Sequence, residues 1–392
     1  MSVFDELIGQ QRVVESLREA ARGVGMTHAW LFTGPPGSGR SVAARAFAAA
    51  LQCSAEEPGC GACAGCHTVL AGTHADVEFV RPQGLSLGVK EARELVARAA
   101  LSPSGDGWQV MVVEDADRLT EGAANVLLKA VEEPAARTVW LLCVPSAEDL
   151  VVTIRSRCRV VALRTPPIDA VAATLRARDG VDAATAAFAA RASAGHVGRA
   201  RRLATDKTAR ERRAAVLRIP SKLSDVGACL AAADDLVKAV TEEAAELTTE
   251  LDEAEVASLK EAFGEGASAT GLGRGQSGAA ITRGAGRAAA SALKELELRQ
   301  KSRATRTMRD AFDRALTDLA GYYRDVLVVQ LNAGVEIANQ DRETEMRELA
   351  ASSTAESTLR RLDAILACRE LLDANANALL ALESLMLRLR AG

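Results

Sequence analysis

The chain has 392 residues, 48% of them hydrophobic but only 3% aromatic, and its 48 basic and 52 acidic side chains leave a net charge of −4. That length suits two or three domains with sizeable cores, and the weakly acidic balance excludes a basic coat wrapped around nucleic acid, leaving only local phosphate contacts. No apolar run approaches the roughly 20 residues of a membrane span and the N-terminus has no basic-then-apolar leader, so a cytoplasmic protein without a membrane partner is expected.

In chain order, residues 5–23 read as an amphipathic helix with Val13, Val14 and Leu17 on one side. An apolar run ending at Thr33 reads as a buried strand, and Gly34-Pro35-Pro36-Gly37-Ser38-Gly39-Arg40-Ser41 follows it. This is a phosphate-binding loop with arginine where the pattern G-x-x-x-x-G-K-[ST] has lysine. The glycines let backbone N–H groups close around a phosphate, and Ser41 opens a helix whose positive end faces the anion. Arginine is a wide planar fork rather than a compact charge, so nucleotide binding is expected and ordinary catalysis is not.

Cys53, Cys60, Cys63 and Cys66 fall within fourteen residues, separated by small residues that let the chain wrap an ion, while the other cysteines of the eight are scattered. Four thiolates at this spacing close a tetrahedral Zn²⁺ site, and with no nucleophile-and-base pair or open coordination position it reads as structural. His67 and His74 are reserve ligands.

Strands are expected over residues 76–80, 108–113, 138–144 and 159–163, with helices over 89–100 and 120–133. The alternation predicts an α/β domain, a parallel sheet with helices on both faces. The acidic pair Glu114-Asp115 ends the third strand. It reverses the usual Asp-Glu order at the metal and water positions of P-loop ATPases, displacing each carboxylate by about 1.5 Å. Beyond Pro166-Pro167 the chain reads as helical, interrupted by a Gly-, Ala- and Ser-rich stretch over 264–287 that reads as a mobile linker. In a helix over 303–328 the stripe Ala304, Met308, Phe312, Ala315, Leu319, Tyr322 and Val326 predicts a buried side, with Arg299, Arg303, Arg306 and Arg314 on solvated faces.

Phe4-Asp5-Glu6-Leu7-Ile8-Gly9-Gln10, the phosphate loop, the cysteine insert, Asn125-Val126-Leu127-Leu128-Lys129-Ala130-Val131-Glu132-Glu133-Pro134 and Thr153-Ile154-Arg155-Ser156-Arg157-Cys158 together resemble the bacterial clamp-loader AAA+ proteins across about the first 205 residues. The resemblance implies an AAA+ P-loop domain over 1–164 with its zinc insert at 53–66, a helical lid over 165–205 and a helical collar over 206–392. It implies that Ile8 and Gly9 line the adenine side of an ATP or ADP site with Mg²⁺, that Gly34 to Ser41 hold the phosphates, and that Glu114 and Asp115 form a degenerate Walker B pair. Arg157 corresponds to an arginine finger acting on a neighbour's nucleotide, where composition alone favours a surface arginine in a salt bridge; Arg199 matches the lid arginine, with Arg191, Arg201 and Arg202 as rivals. Val144 and Pro145 stand where a polar sensor is expected.

Implied partners are the gamma/tau motor and delta subunits, a sliding clamp, and primer-template DNA through the assembled complex. A structural and regulatory subunit of the polymerase III holoenzyme, inefficient as an ATPase by itself, therefore competes with a gamma/tau-like motor and, more distantly, with a zinc-containing DNA-binding module.

Overall fold

A computed structural model describes residues 2–82, 84–263 and 279–392, and the chain divides into two units that part between residues 209 and 210. In the first unit, β1 (Ala29–Thr33), β2 (Val77–Val80), β3 (Gln109–Val113), β4 (Thr138–Val144) and β5 (Arg159–Ala162) form one parallel sheet in the order β2-β3-β4-β1-β5. Successive side chains of a strand point to opposite faces. Trp30 and Phe32 of β1 therefore join Leu141 and Cys143 of β4 in one core, while Leu31 joins Trp140, Leu142 and Val144 in the other. Both faces are covered, so β1 and β4 are buried at every position.

The helices are α1 (Gln11–Ala21), α2 (Arg40–Leu51), α3 (Ala64–Leu70), α4 (Val89–Ala99), α5 (Glu121–Glu132) and the short α6 (Val152–Arg155). The helix expected over 5–23 is broken in two. A 3₁₀ turn at Val3–Glu6 precedes α1, because the chain turns at Gly9, whose φ of +71° favours glycine and where a Cβ would lie 3.0 Å from Pro167 Cδ. Helix α3, inside the cysteine insert, escaped the sequence reading; Cys63 caps it by accepting the Cys66 N–H on Sγ. After β5 come α7 (Ile168–Asp179), α8 (Ala183–Ala192) and α9 (Val197–Thr205), a small bundle with its own core of Val171, Leu175, Leu203 and packed alanines.

Helix α10 (Lys207–Leu217) contains the division between units. The second unit continues through α11 (Ile219–Lys222), α12 (Val226–Phe263), α13 (Ala279–Gln330), α14 (Glu343–Ser352), α15 (Ala355–Asp373) and α16 (Ala378–Ala391) around Leu316, Leu319, Tyr323, Ile365 and Leu382. The predicted stripe holds, with Phe312, Ala315, Leu319, Tyr322 and Val326 all buried. Of the four basic residues expected on solvated faces, only Arg299 is exposed. Arg303 pairs with Asp252 at 3.3 Å and Glu255 at 2.7 Å, and Arg314 with Glu243 at 2.9 Å, because α12 packs along α13 and brings its acids to them, while Arg306, only 6% exposed, lies 3.9 Å from Asp310 of its own helix. Of the stretch 264–287 expected to be a mobile linker, residues 264–278 lie outside the described residues. Residues 279–287 instead begin α13, where alanines at 279, 280 and 285 favour helix over loop. Among the described residues no helix is long and apolar enough to cross a membrane.

Candidate functional site

The loop after β1 emerges at the carboxyl edge of the sheet between β4 and β5, the crevice where open α/β sheets bind ligands. Its glycines answer either to lack of space or to a positive φ. A Cβ on Gly34 would lie 2.6 Å from the Leu163 carbonyl and the Ser38 hydroxyl, and Gly39 takes φ +93° where it leads into α2. No side chain caps α2, so its first N–H groups stay open to an anion. Ser38 is 2% exposed, yet its Oγ and the buried Nη1 of Arg40 find no hydrogen-bond partner among the described residues. Two buried donors that lack a protein acceptor fit an anion at this loop.

A cavity of about 280 Å³ lies against this loop, lined by Ile8, Gly37 to Val42, Thr174 and Arg178 of α7, the α9 cap His196, and Val197, Gly198 and Arg201 of α9. The structure thus brings Ile8, Gly37, Ser38, Gly39, Arg40 and Ser41 together. Arg199 is not among the lining residues; Arg201 is, its Nε held 3.0 Å from Asp179. Two contributors escaped the sequence reading. Buried Gln10 donates from Nε2 to the Arg164 carbonyl at 2.5 Å and the Ser38 carbonyl at 3.4 Å, tying the loop to the exit of β5. His196 packs on Gly37, and its imidazole is held below its ordinary value by burial, then by Arg199 and Arg40. Their only sequence signal was a polar residue beside a glycine.

Glu114 and Ser41 line an adjoining cleft of about 850 Å³ that also takes in Arg45, Gly61 of the cysteine insert and Leu70 at the end of α3. Asp115 adopts φ +49° and sits 4.0 Å from Arg81, not in this cleft. Val144 is buried and Pro145 offers only its carbonyl, which accepts the Gly34 N–H at 3.0 Å. Arg157 lines neither cavity. It is 37% exposed, pairs with Glu132 of α5, and donates to the Thr153 carbonyl at 2.6 Å.

The four cysteines converge. Sulfurs of Cys53, Cys60, Cys63 and Cys66 all lie within 4.8 Å of one another, and Cys53 and Cys63 are 3.8 Å apart, against about 3.8 Å for thiolates bound tetrahedrally at about 2.3 Å. The N–H groups of Cys63 and Cys66 point at the sulfurs of Cys60 and Cys63 at 3.3 and 3.4 Å. Burial works against the Cys63 thiolate, but the N–H of Cys66 and the polar groups of Ser54 outweigh it and bring that thiol down to about 6. Burial, reinforced by the neighbouring Cys63 and Cys53, pushes Cys66 up. The donor set suits a thiophilic ion, and His67 and His74 lie outside it.

Family models described as DNA polymerase III, delta subunit, and as DNA polymerase III, delta subunit, C terminal, match residues 9–167 and 293–391. DNA polymerase III subunit delta' of Escherichia coli is 38% identical over 178 residues, covering 44% of this chain and 53% of that protein. Subunit tau of Bacillus subtilis is 32% identical over 159 residues, 40% of this chain and 28% of that protein. The chain therefore spans about half of the first relative and less than a third of the second. A Thermotoga maritima structure described as a DNA polymerase III gamma subunit-related protein aligns over 96% of this chain and 98% of its own at 16% identity, with a TM-score of 0.41, too faint a likeness to carry weight.

Proposed function

We propose, since the chain belongs to the DNA polymerase III delta-subunit family, that it is the delta-prime subunit of a bacterial clamp loader, a cytoplasmic AAA+ subunit that holds the ring and serves a neighbouring motor. Arg40 carries the choice against a gamma/tau-like motor: it stands in the catalytic lysine position of the phosphate loop. The displaced Glu114-Asp115 pair and the apolar Val144-Pro145 support the same choice. The loop and the open end of α2 would hold the phosphates of ATP or ADP. Mg²⁺, if bound with the nucleotide, would fall to Ser41 and Glu114, which share one cleft. Turnover by the isolated chain is expected to be negligible. Steady Mg²⁺-dependent hydrolysis abolished by Ser41→Ala would restore the motor assignment.

Arg157 would act on the nucleotide of an adjacent subunit, where a guanidinium in trans is worth roughly 10³–10⁵ in rate. Its pair with Glu132 is solvent-exposed, and such pairs are worth about 0–1 kcal/mol, so release toward a neighbour costs little. Arg157→Ala should leave folding and metal content unchanged while slowing ATP hydrolysis and clamp loading by a complex reconstituted with the motor and delta subunits, a sliding clamp and primed DNA. Wild-type rates in that complex would refute the trans role.

Cys53, Cys60, Cys63 and Cys66 would hold one Zn²⁺ as a closed structural site. Metal analysis of protein purified without chelator is expected to give one equivalent, and none would remove the zinc assignment.

A further inference from the structure

We infer that His196 is the side chain by which the small helical bundle reads the terminal phosphate of a bound nucleotide, donating a hydrogen bond from Nε2 as a neutral imidazole. This rests on the nucleotide-site assignment above. The turn between α8 and α9 delivers the residue by two constrained steps: Ala194 at φ +49° and Gly195 at φ +82°, the latter with so little room that a Cβ would lie 2.5 Å from the Pro166 carbonyl. His196 then sits directly on the phosphate loop. A Cβ on Gly37 would come within 2.4 Å of His196 Cγ and 2.6 Å of its Cβ, so residue 196 packs this closely only because residue 37 is glycine.

The ring's chemistry is set by its other nitrogen. His196 caps α9, and Nδ1 accepts the Arg199 N–H at 3.3 Å. An acceptor Nδ1 places the proton of a neutral ring on Nε2. The remaining donor belongs to a residue lining the cavity beside Ser38 Oγ and Arg40 Nη1, both buried and without hydrogen-bond partners among the described residues. Ser38 Oγ and Arg40 Nη1 suit an oxyanion, and the Nε2 donor comes from a residue lining the same cavity. An imidazole that donates while neutral adds a directed hydrogen bond without adding to the charge Arg40 already brings.

Two substitutions separate this role from a structural one. His196→Asn keeps an acceptor for the α9 cap but loses the reach of Nε2, whereas His196→Gln restores a donor near that position. Binding of unlabelled ADP and AMP to the full chain, measured by displacement of a fluorescent ADP, is expected to show His196→Asn weakening ADP roughly ten- to a hundredfold, as for a hydrogen bond to a charged group. AMP affinity should change less than threefold, His196→Gln should recover most of the loss, and thermal midpoints should stay together. ADP affinity within twofold of the unsubstituted chain in His196→Asn, or equal losses for ADP and AMP, would overturn the assignment. If the unsubstituted chain binds no ADP at millimolar concentration, the nucleotide site itself falls and this role with it.

Discussion

The two ends of α2 differ in completeness. At its N-terminus the phosphate loop keeps the backbone cradle, with glycines at Gly34, Gly37 and Gly39 where a Cβ is crowded or φ is positive, but it carries Arg40 where the pattern has lysine, and under the proposed function the Glu114-Asp115 pair and Pro145 depart from a working motor as well. Just past its C-terminus, Cys53 begins a four-thiol cluster with every sulfur in reach of the others. A fold can shed catalytic side chains one by one because its core does not depend on them. A closed four-ligand site tolerates no such attrition, since each ligand supports the same local structure.

The sharpest way to break that contrast is Cys63→Ser. With apparent binding energies of about 10–16 kcal/mol for small zinc sites, losing one of four ligands should weaken metal binding by a hundredfold or more, with increased hydrogen exchange in α3 and the residue 53–63 loop. Unchanged metal content would make the cluster incidental.

At the other end, Gly37→Ala forces a Cβ to within 2.4 Å of His196 at a φ of +85°. A strained residue of this kind costs about 1–3 kcal/mol, so the thermal midpoint should fall and nucleotide affinity with it. An unaffected midpoint would mean that the bundle of α7 to α9 does not close on the loop.

Arg40→Lys tests whether the depletion is cumulative. Restoring lysine alone should leave turnover within about tenfold of the parent, because Glu114 and Asp115 keep their reversed order and a misplacement of catalytic groups by about 1 Å is enough to cost on the order of a hundredfold. Recovery of motor-like turnover would show that a single side chain separates the two classes.

The smallest effect is pH dependence. Burial, Arg199 and Arg40 lower the His196 value in the folded chain, so near pH 6.5 the unfolded chain binds more protons. The associated stability is fully present above about pH 6.5 and declines as pH falls through the lowered folded value. His196→Asn should flatten that part of a denaturation series, and an unchanged slope would remove the buried-imidazole account.

How much of this the amino-acid order determined depended on distance along the chain. The sheet strands, the phosphate loop and the cysteine spacing are local patterns of apolar runs, glycines and ligands, and they appear where expected, β4 at Thr138–Val144 to the residue. Contacts across many residues were not encoded in any window. Gln10 reaches Arg164, His196 meets Gly37, and Asp252 neutralises Arg303 only after folding brings those segments together. Arg201 rather than Arg199 lines the cavity for the same reason, since helical phase relative to a distant loop is a property of packing. A periodic stripe says that a face is buried; which partner buries it, and which charges that partner brings, is decided by tertiary structure.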